Sequence, residues 1–233
     1  MNRPQHNRVS SRPAPRKRRY NILFLGNSGS GKASMKNKIV YNDFRVSNNP
    51  YDPTLEDSHQ TCITIDSEQC FVNIMELDYD GRYLGLFEPL IRDADGIILM
   101  YSICSPESFS VLEALWTLVK LVKVPEKKGL YVEVVGTMSD MWEKRSVKTE
   151  DGKALAERLN CGFSECSAKK GENCDLLIEN LIRKIMVGRA QEQILRDARR
   201  RKEDDEREER DRKKNGVVKR VLKRCVEIMT MGT

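Results

Sequence analysis

The sequence has almost no histidine. Its two, His6 and His59, stand far apart, and neither they nor the cysteines fall at metal-ligand spacing, which argues against a His- or Cys-based metal centre. No apolar run approaches the roughly 20 residues that span a bilayer as a helix, and the N-terminus has no signal-peptide core. A membrane-spanning or exported protein is therefore not expected. The seven cysteines are odd in number and scattered through apolar segments, so they read as reduced cytosolic thiols and not as a disulfide framework. Acid is missing from the first twenty residues, which hold seven Arg/Lys and three Pro. That stretch cannot bury enough apolar surface to offset chain entropy, so residues 1–19 are expected to form a disordered basic arm.

What is present divides sharply by charge. The segment from Asn21 to Ile182 carries 17 basic against 25 acidic side chains, a net of −8, so the overall +6 belongs to the ends. Basic arms on an acidic body suggest attraction to anionic surfaces through the arms alone. At 233 residues the chain has room for one well-buried domain plus tails.

Tyr20–Gly26, YNILFLG, reads as a strand, and KASMKNKIVYNDF after it as a helix. Gln60–Asp66 and Gln69–Asp78 read as a hairpin about a turn at Ser67 and Glu68. Asp95–Ile103 and Gly129–Gly136 are nearly continuous apolar runs, as in strands covered on both faces. Between them SPESFSVLEALWTLVKLVK opens with Ser-Pro and Glu107, a helix start. A helix over Thr149–Leu159, a strand in CGFSEC and a helix from Glu172 complete the order. Alternating strands and helices predict an α/β fold with a mostly parallel six-stranded sheet and helices on both faces. Ligands then belong at the carboxyl ends of the strands.

One such end carries Gly26-Asn27-Ser28-Gly29-Ser30-Gly31-Lys32-Ala33-Ser34, between a strand and a helix. Glycine lets backbone N–H groups turn onto phosphate, Lys32 offers charge to the outer phosphates, and the helix N-terminus adds partial positive charge. Four further loops follow: YDPTLEDSH from Tyr51, LDYDG, VVGTMSD and ECSAK from Glu165. Together and in this order they resemble the phosphate loop, effector loop, Asp-x-x-Gly element and two guanine-reading elements of the Ras-family small GTPases, over about Tyr20 to Val187.

The resemblance implies a P-loop NTPase fold binding GTP and GDP with Mg²⁺. It implies that Phe44 packs edgewise on guanine, that Thr54 senses the γ-phosphate and ligates Mg²⁺, that Asp78 holds the metal through water and that Gly81 gives a γ-phosphate N–H. Asp140 would accept from guanine N1–H and the exocyclic amine, a bidentate contact adenine cannot make. Thr137 and Met138 would line the base, and Ser167, Ala168 and Lys169 would complete its pocket. The effector surface would comprise Asp52, Pro53, Thr54, Leu55, Glu56, Asp57 and Ser58, its acids facing a basic effector domain that pairs with the strand from His59. Exchange factors and GTPase-activating proteins are the other partners implied.

Four positions depart from the pattern. Ala33 stands where a Ser or Thr hydroxyl would ligate Mg²⁺, and Ser34 lies about 100° further round the helix. Arg82 replaces the usual Gln, and a guanidinium has no acceptor with which to polarise water. Asp80 brings a carboxylate beside the γ-phosphate, either repelling triphosphate or standing in for the lost metal ligand. Thr137 and Met138 replace Asn and Lys, which the base site should tolerate.

Beyond Gly188 the chain is densely charged with both signs and has no apolar seam, so a solvated extension of the last helix is expected ahead of a coiled coil. After Gly216, Val217, Val218, Val221, Leu222, Cys225, Val226 and Met229 recur at helical spacing opposite Lys219, Arg220, Lys223 and Arg224. Such a face suits an anionic membrane surface, with a docking helix or a frayed tail as alternatives. MTMGT at the end is not the prenylated box common in that family, and Cys225, within the basic amphipathic stretch, is a candidate for acylation. Nucleic-acid binding rests only on PRKRRY and is the weakest reading. Two functions stay open: a cytoplasmic GTP-binding switch with slow hydrolysis, peripheral at the plasma membrane, or a nucleotide-insensitive interaction module.

Overall fold

The computed structural model describes residues 18–44, 59–79, 84–123 and 129–230. The chain divides into two units, Met1–Ile185 and Met186–Thr233.

In the first unit, six strands form one sheet in the order β2-β3-β1-β4-β5-β6. They are β1 (Arg18–Gly26), β2 (His59–Ile65), β3 (Glu68–Asp78), β4 (Gly96–Ser102), β5 (Tyr131–Thr137) and β6 (Gly162–Glu165). Only the β2–β3 pair is antiparallel, and the pairs on either side of β1 and β5 are parallel. The mostly parallel α/β expectation holds. All seven residues of β4 are buried, as a central parallel strand requires.

The helices are α1 (Lys32–Tyr41), α2 (Leu84–Asp93), α3 (Pro106–Ser110), α4 (Leu112–Lys123), α5 (Thr149–Leu159) and α6 (Cys174–Thr230). Alternation along β1 sorts them onto two faces. Leu23 and Leu25 join a buried cluster with Phe87 and Ile91 of α2, Leu115 and Val119 of α4 and Leu155 of α5. On the other face, space beside Gly96 is filled by Ile22 and by Leu181 and Ile185 of α6.

Several boundaries differ from the sequence reading. β1 starts at Arg18, within the residues expected to be disordered, because Arg18 pairs with Cys70 and its guanidinium meets Glu68 at 3.1 Å. The hairpin turn is Asp66-Ser67, both at positive φ (49° and 69°), the handedness that matches strand twist. The single helix expected after Ser105 breaks at Val111 into α3 and α4, and the expected helix through Phe44 stops when Asn42 turns left-handed at φ 56°. α2 was not anticipated. Its Pro89 masks an otherwise helical spacing of Phe87, Leu90 and Ile91.

In the second unit α6 continues to Thr230, and its described side chains are largely exposed. Arg196–Glu192, Arg212–Glu208 and Lys213–Glu209 pair at i,i+4, each adding a few tenths of a kcal/mol (about 0.2–0.5) to a helix without an apolar seam. Among the described residues no helix is long and apolar enough to cross a membrane.

Candidate functional site

β1 delivers the glycine loop to the carboxyl edge of the sheet, and α1 leaves from it. A Cβ at Gly26 would collide with the Met100 carbonyl of β4, so only glycine lets the loop turn there. Gly31 sits at φ 90° with Thr137 Oγ1 2.9 Å from where a Cβ would stand, so conformation and space both require glycine. The loop is thereby a backbone concavity closed by a helix N-terminus, which fits a phosphate.

Lys32 is the one cation buried in this loop among the described residues, 4 % exposed. Its ammonium donates to the carbonyls of Gly26 (3.0 Å) and Asn27 (2.7 Å) and to Ser30 Oγ (3.2 Å), and meets Asp78 Oδ1 at 2.5 Å. One turn on, Lys36 meets Glu76 of β3 at 2.6 Å, so two lysines of α1 face two acids on one face of β3. Ala33 is exposed and supplies no oxygen, and Ser34 is half-buried. Among the described residues, Asp78 is the only expected Mg²⁺ ligand and it is salt-bridged to Lys32. Thr54, Asp80, Gly81 and Arg82, with Asp52, Pro53, Leu55, Glu56, Asp57 and Ser58, lie outside the described residues. Among the described residues, Asp78 alone does not amount to a Mg²⁺ site.

The residues expected to read the base come from β5, β6 and the turns after them. Thr137, at the end of β5, is buried and its hydroxyl lies 2.7 Å from the Ser30 carbonyl of the glycine loop and 3.1 Å from that of Tyr101. Met138 follows at φ 62°, a left-handed turn that swings the chain into the 3₁₀ segment Ser139–Lys144, and its sulfur accepts from Ser102 Oγ at 3.3 Å. This turn points Asp140 at the β6 loop, where Oδ1 accepts from Ser167 Oγ at 2.6 Å. Ser167 is fully buried and its hydroxyl also accepts from the Lys170 N–H at 3.1 Å. Ser167 and Glu172 exchange both backbone hydrogen bonds, closing the loop that holds Ala168 (half-buried) and Lys169 (exposed). A carboxylate oxygen has two lone pairs, so Asp140 keeps acceptor capacity for a base edge. Phe44, half-buried, is described at the end of the α1 segment.

One support of this loop was missed in the sequence. Arg145 forms a two-pronged ion pair with Glu165, both contacts 2.7 Å, and Thr149 donates to Glu165 Oε1 at 3.1 Å. Burial alone would push the Glu165 carboxyl up, but the Arg145 guanidinium and Thr149 outweigh it and hold it below the ordinary value. The partners are twenty residues apart in sequence, and no local pattern joins them.

A glycine cradle, a buried loop lysine and an Asp–Ser pair at the adjoining strand ends occupy one edge of the sheet. A family model described as Ras family matches residues 21–187, more than half of the chain. The chain belongs to the Ras family of small GTPases. It is similar to "Ras-like protein B" of Aspergillus fumigatus, 30% identical over 195 residues, covering 75% of this chain and 80% of that protein. "Ras-like protein 2" of Mucor circinelloides f. lusitanicus is 30% identical over 177 residues, 76% of this chain and 87% of that one. "Ras-like protein 1" of Saccharomyces cerevisiae is 33% identical over 166 residues, 71% of this chain but 52% of the longer relative. Ras-family membership implies guanine nucleotide as the ligand of this domain.

Proposed function

We propose that this protein is a signalling switch that binds GTP and GDP selectively, depends only weakly on Mg²⁺ and hydrolyses GTP slowly unless a partner supplies the missing groups. The observation that carries this reading is the pre-set base end: Asp140 is already fixed by Ser167 at 2.6 Å and tied through β5 to the phosphate loop. Guanine then meets an acceptor that needs little reorganisation. The weak metal dependence follows from Ala33, and slow hydrolysis from Arg82, whose side chain has donors only. Asp80 is the residue that would repair the metal site.

GTP would order the loop around Thr54 and present Asp52, Glu56 and Asp57 to a basic effector domain at β2, the edge strand. In this reading the domain runs over residues 20–187, with β1 reaching back to Arg18, and is flanked by the basic arm before it and the charged helical extension 188–233. The protein works in the cytoplasm, peripheral to the plasma membrane through the basic face after Gly216 and acylated Cys225. The side chains beyond Asn215 lie outside the described residues, and Cys225 falls within α6. Unchanged membrane fractionation of a Cys225→Ser variant would remove that anchor from the reading.

A second reading, a nucleotide-insensitive interaction module, is favoured by the engagement of Lys32 with Asp78 and the loop carbonyls. Calorimetry with GTP, GDP and ATP, in Mg²⁺ and in EDTA, separates the two. Guanine-selective binding that survives EDTA supports the switch, absence of guanine binding leaves the module, and single-turnover hydrolysis at a rate ordinary for the family overturns the slow-hydrolysis clause.

A further inference from the structure

The middle of α6 carries a charge order that pairing within the helix leaves unused. From Arg199 the sequence reads Arg-Arg-Arg-Lys-Glu-Asp-Asp-Glu, a run of cations followed directly by a run of anions. Before the block Glu192 pairs with Arg196 at 3.4 Å, and after it Glu209 pairs with Lys213 at 2.7 Å, the acid leading in both. Inside the block the cations lead, which is the poorer order for i,i+4 pairs. Arg199, Lys202, Glu203 and Glu206 form no ion pair among the described residues, and all four are exposed.

These charges share a face. At about 100° per residue, Lys202, Arg199, Arg196 and Glu192 lie within about 70° of one line when followed backwards from the Lys202–Glu203 junction. Glu203, Glu206, Glu209 and Lys213 lie within the same arc when followed forwards. The signs therefore run plus, plus, plus, minus in one direction and minus, minus, minus, plus in the other. A second α6 turned end for end about the junction sets every charge against its opposite: Lys202 on Glu203, Arg199 on Glu206, Arg196 on Glu209 and Glu192 on Lys213, each twice by symmetry. The same helix laid parallel and in register meets only like charges. A uniformly basic or uniformly acidic partner would complement only half of the face.

We propose that this face joins two copies of the chain, through an antiparallel electrostatic pairing of α6 about Lys202 and Glu203. The pairing requires no nucleotide and stands apart from the function proposed above.

Single exposed ion pairs contribute little, but here the intrahelical pairs extend them into networks. Arg196 would lie between Glu192 of its own helix and Glu209 of the other copy, and that Glu209 is already held by Lys213, so four charges close a ring at each end. With no apolar seam beneath them, these contacts are governed by screening and weaken as the Debye length shrinks.

The test uses the full-length protein in analytical ultracentrifugation at about 100 μM, in about 20 mM and about 500 mM salt. The expected result is a dimer at the lower salt and a monomer at the higher. Zero-length carbodiimide coupling at low salt, followed by mass spectrometry, should join Lys213 to Glu192. Within one helix those residues are about 30 Å apart, so a single chain cannot make that link. Two charge-reversal variants then address the face itself. Glu203→Lys with Glu206→Lys makes the central positions all basic, and Arg199→Glu with Lys202→Glu makes them all acidic. Each alone should dimerise at least about tenfold more weakly than wild type. An equal mixture of the two should recover the dimer, which loss of helix cannot produce, and circular dichroism checks α6 in each. Wild-type protein that stays monomeric at low salt overturns the proposal and leaves the face to a partner of another sequence. A dimer that ignores both salt and the reversals also overturns it, because the contact then lies elsewhere. A salt-sensitive dimer without the Lys213–Glu192 link overturns the antiparallel register.

Discussion

The two ends of the proposed nucleotide site are built on different principles. At the proposed base end several short-range pairs support one another: Asp140 with Ser167, Ser167 with the Lys170 N–H, and Glu165 with both Arg145 and Thr149. At the phosphate end one buried ammonium, Lys32, serves two carbonyls, a hydroxyl and a carboxylate at once. A network in which each member has several partners loses one bond gradually, whereas a hub loses everything with its centre. The base end should therefore fix which nucleotide binds, and the phosphate end should fix how the protein responds to metal and to the γ-phosphate.

The largest expected effect breaks the base end. Asp140→Ala removes the carboxylate proposed to separate guanine from adenine and leaves the buried Ser167 hydroxyl without its acceptor. A charge-assisted contact of this kind is worth about 3 kcal/mol, on the order of 100-fold in GDP affinity. Calorimetry should show the GTP preference over ATP collapse as well. Selectivity retained by this variant would mean that Asp140 does not read the base.

Next comes Arg145→Ala, which leaves every proposed nucleotide contact in place. Both partners of the Arg145–Glu165 pair are mostly buried, so the loss of stability should be about 2 kcal/mol near neutral pH. The Glu165 carboxyl titrates below its ordinary value in the fold, so its contribution is present above the unfolded pKa and disappears as pH falls through the folded one. Urea unfolding at a series of pH values should show wild type and variant converging as pH falls through and below the ordinary glutamate range. A constant difference across that range would assign the loss to packing and not to the ion pair.

How much of this contrast could be read from the sequence follows the same division. The glycine loop and the Asp140 and Ser167 elements are local motifs, and periodicity placed all six strands. The supports are not local. Glu165 meets Arg145 across a strand, a turn and a helix, and Lys36 meets Glu76 only because α1 crosses β3. α2 escaped because Pro89 inside it is a helix-breaking signal that tertiary packing of Phe87 and Ile91 overrides. The turn at Asp66-Ser67 was misplaced by one residue because neither is glycine, the residue that positive φ usually marks. Ala33 is legible as a loss, but Lys32 and Asp78 meet only because α1 packs beside the end of β3, which no local pattern signals.

The phosphate end is sharpened by Ala33→Ser, which returns the missing hydroxyl to the first turn of α1. An exposed alanine here accepts serine without a packing cost. With one more oxygen for the metal, GDP release in Mg²⁺ relative to EDTA should slow by about tenfold, equivalent to one charge-assisted contact of about 1.4 kcal/mol. An unaltered ratio would show that Asp80 or another group already fills that role, or that Asp78 does not leave Lys32.

The smallest effect tests whether the two ends are one site. Thr137 joins them: its hydroxyl reaches the Ser30 carbonyl at 2.7 Å, and its side chain fills the space a Cβ at Gly31 would need. Thr137→Val keeps that volume and deletes the hydrogen bond, leaving the Ser30 carbonyl without its partner on β5, for a stability loss of about 1 kcal/mol. Thr137→Ser keeps the bond and deletes a methyl. If the hydroxyl transmits position from the base end to the phosphate loop, the Val variant should release GDP faster while retaining its GTP-over-ATP ratio, and the Ser variant should behave as wild type. Equal acceleration in both would assign the coupling to packing against Gly31. No acceleration in either would mean that the glycine loop is held by Lys32 alone, and the hub and the network would then be energetically separate.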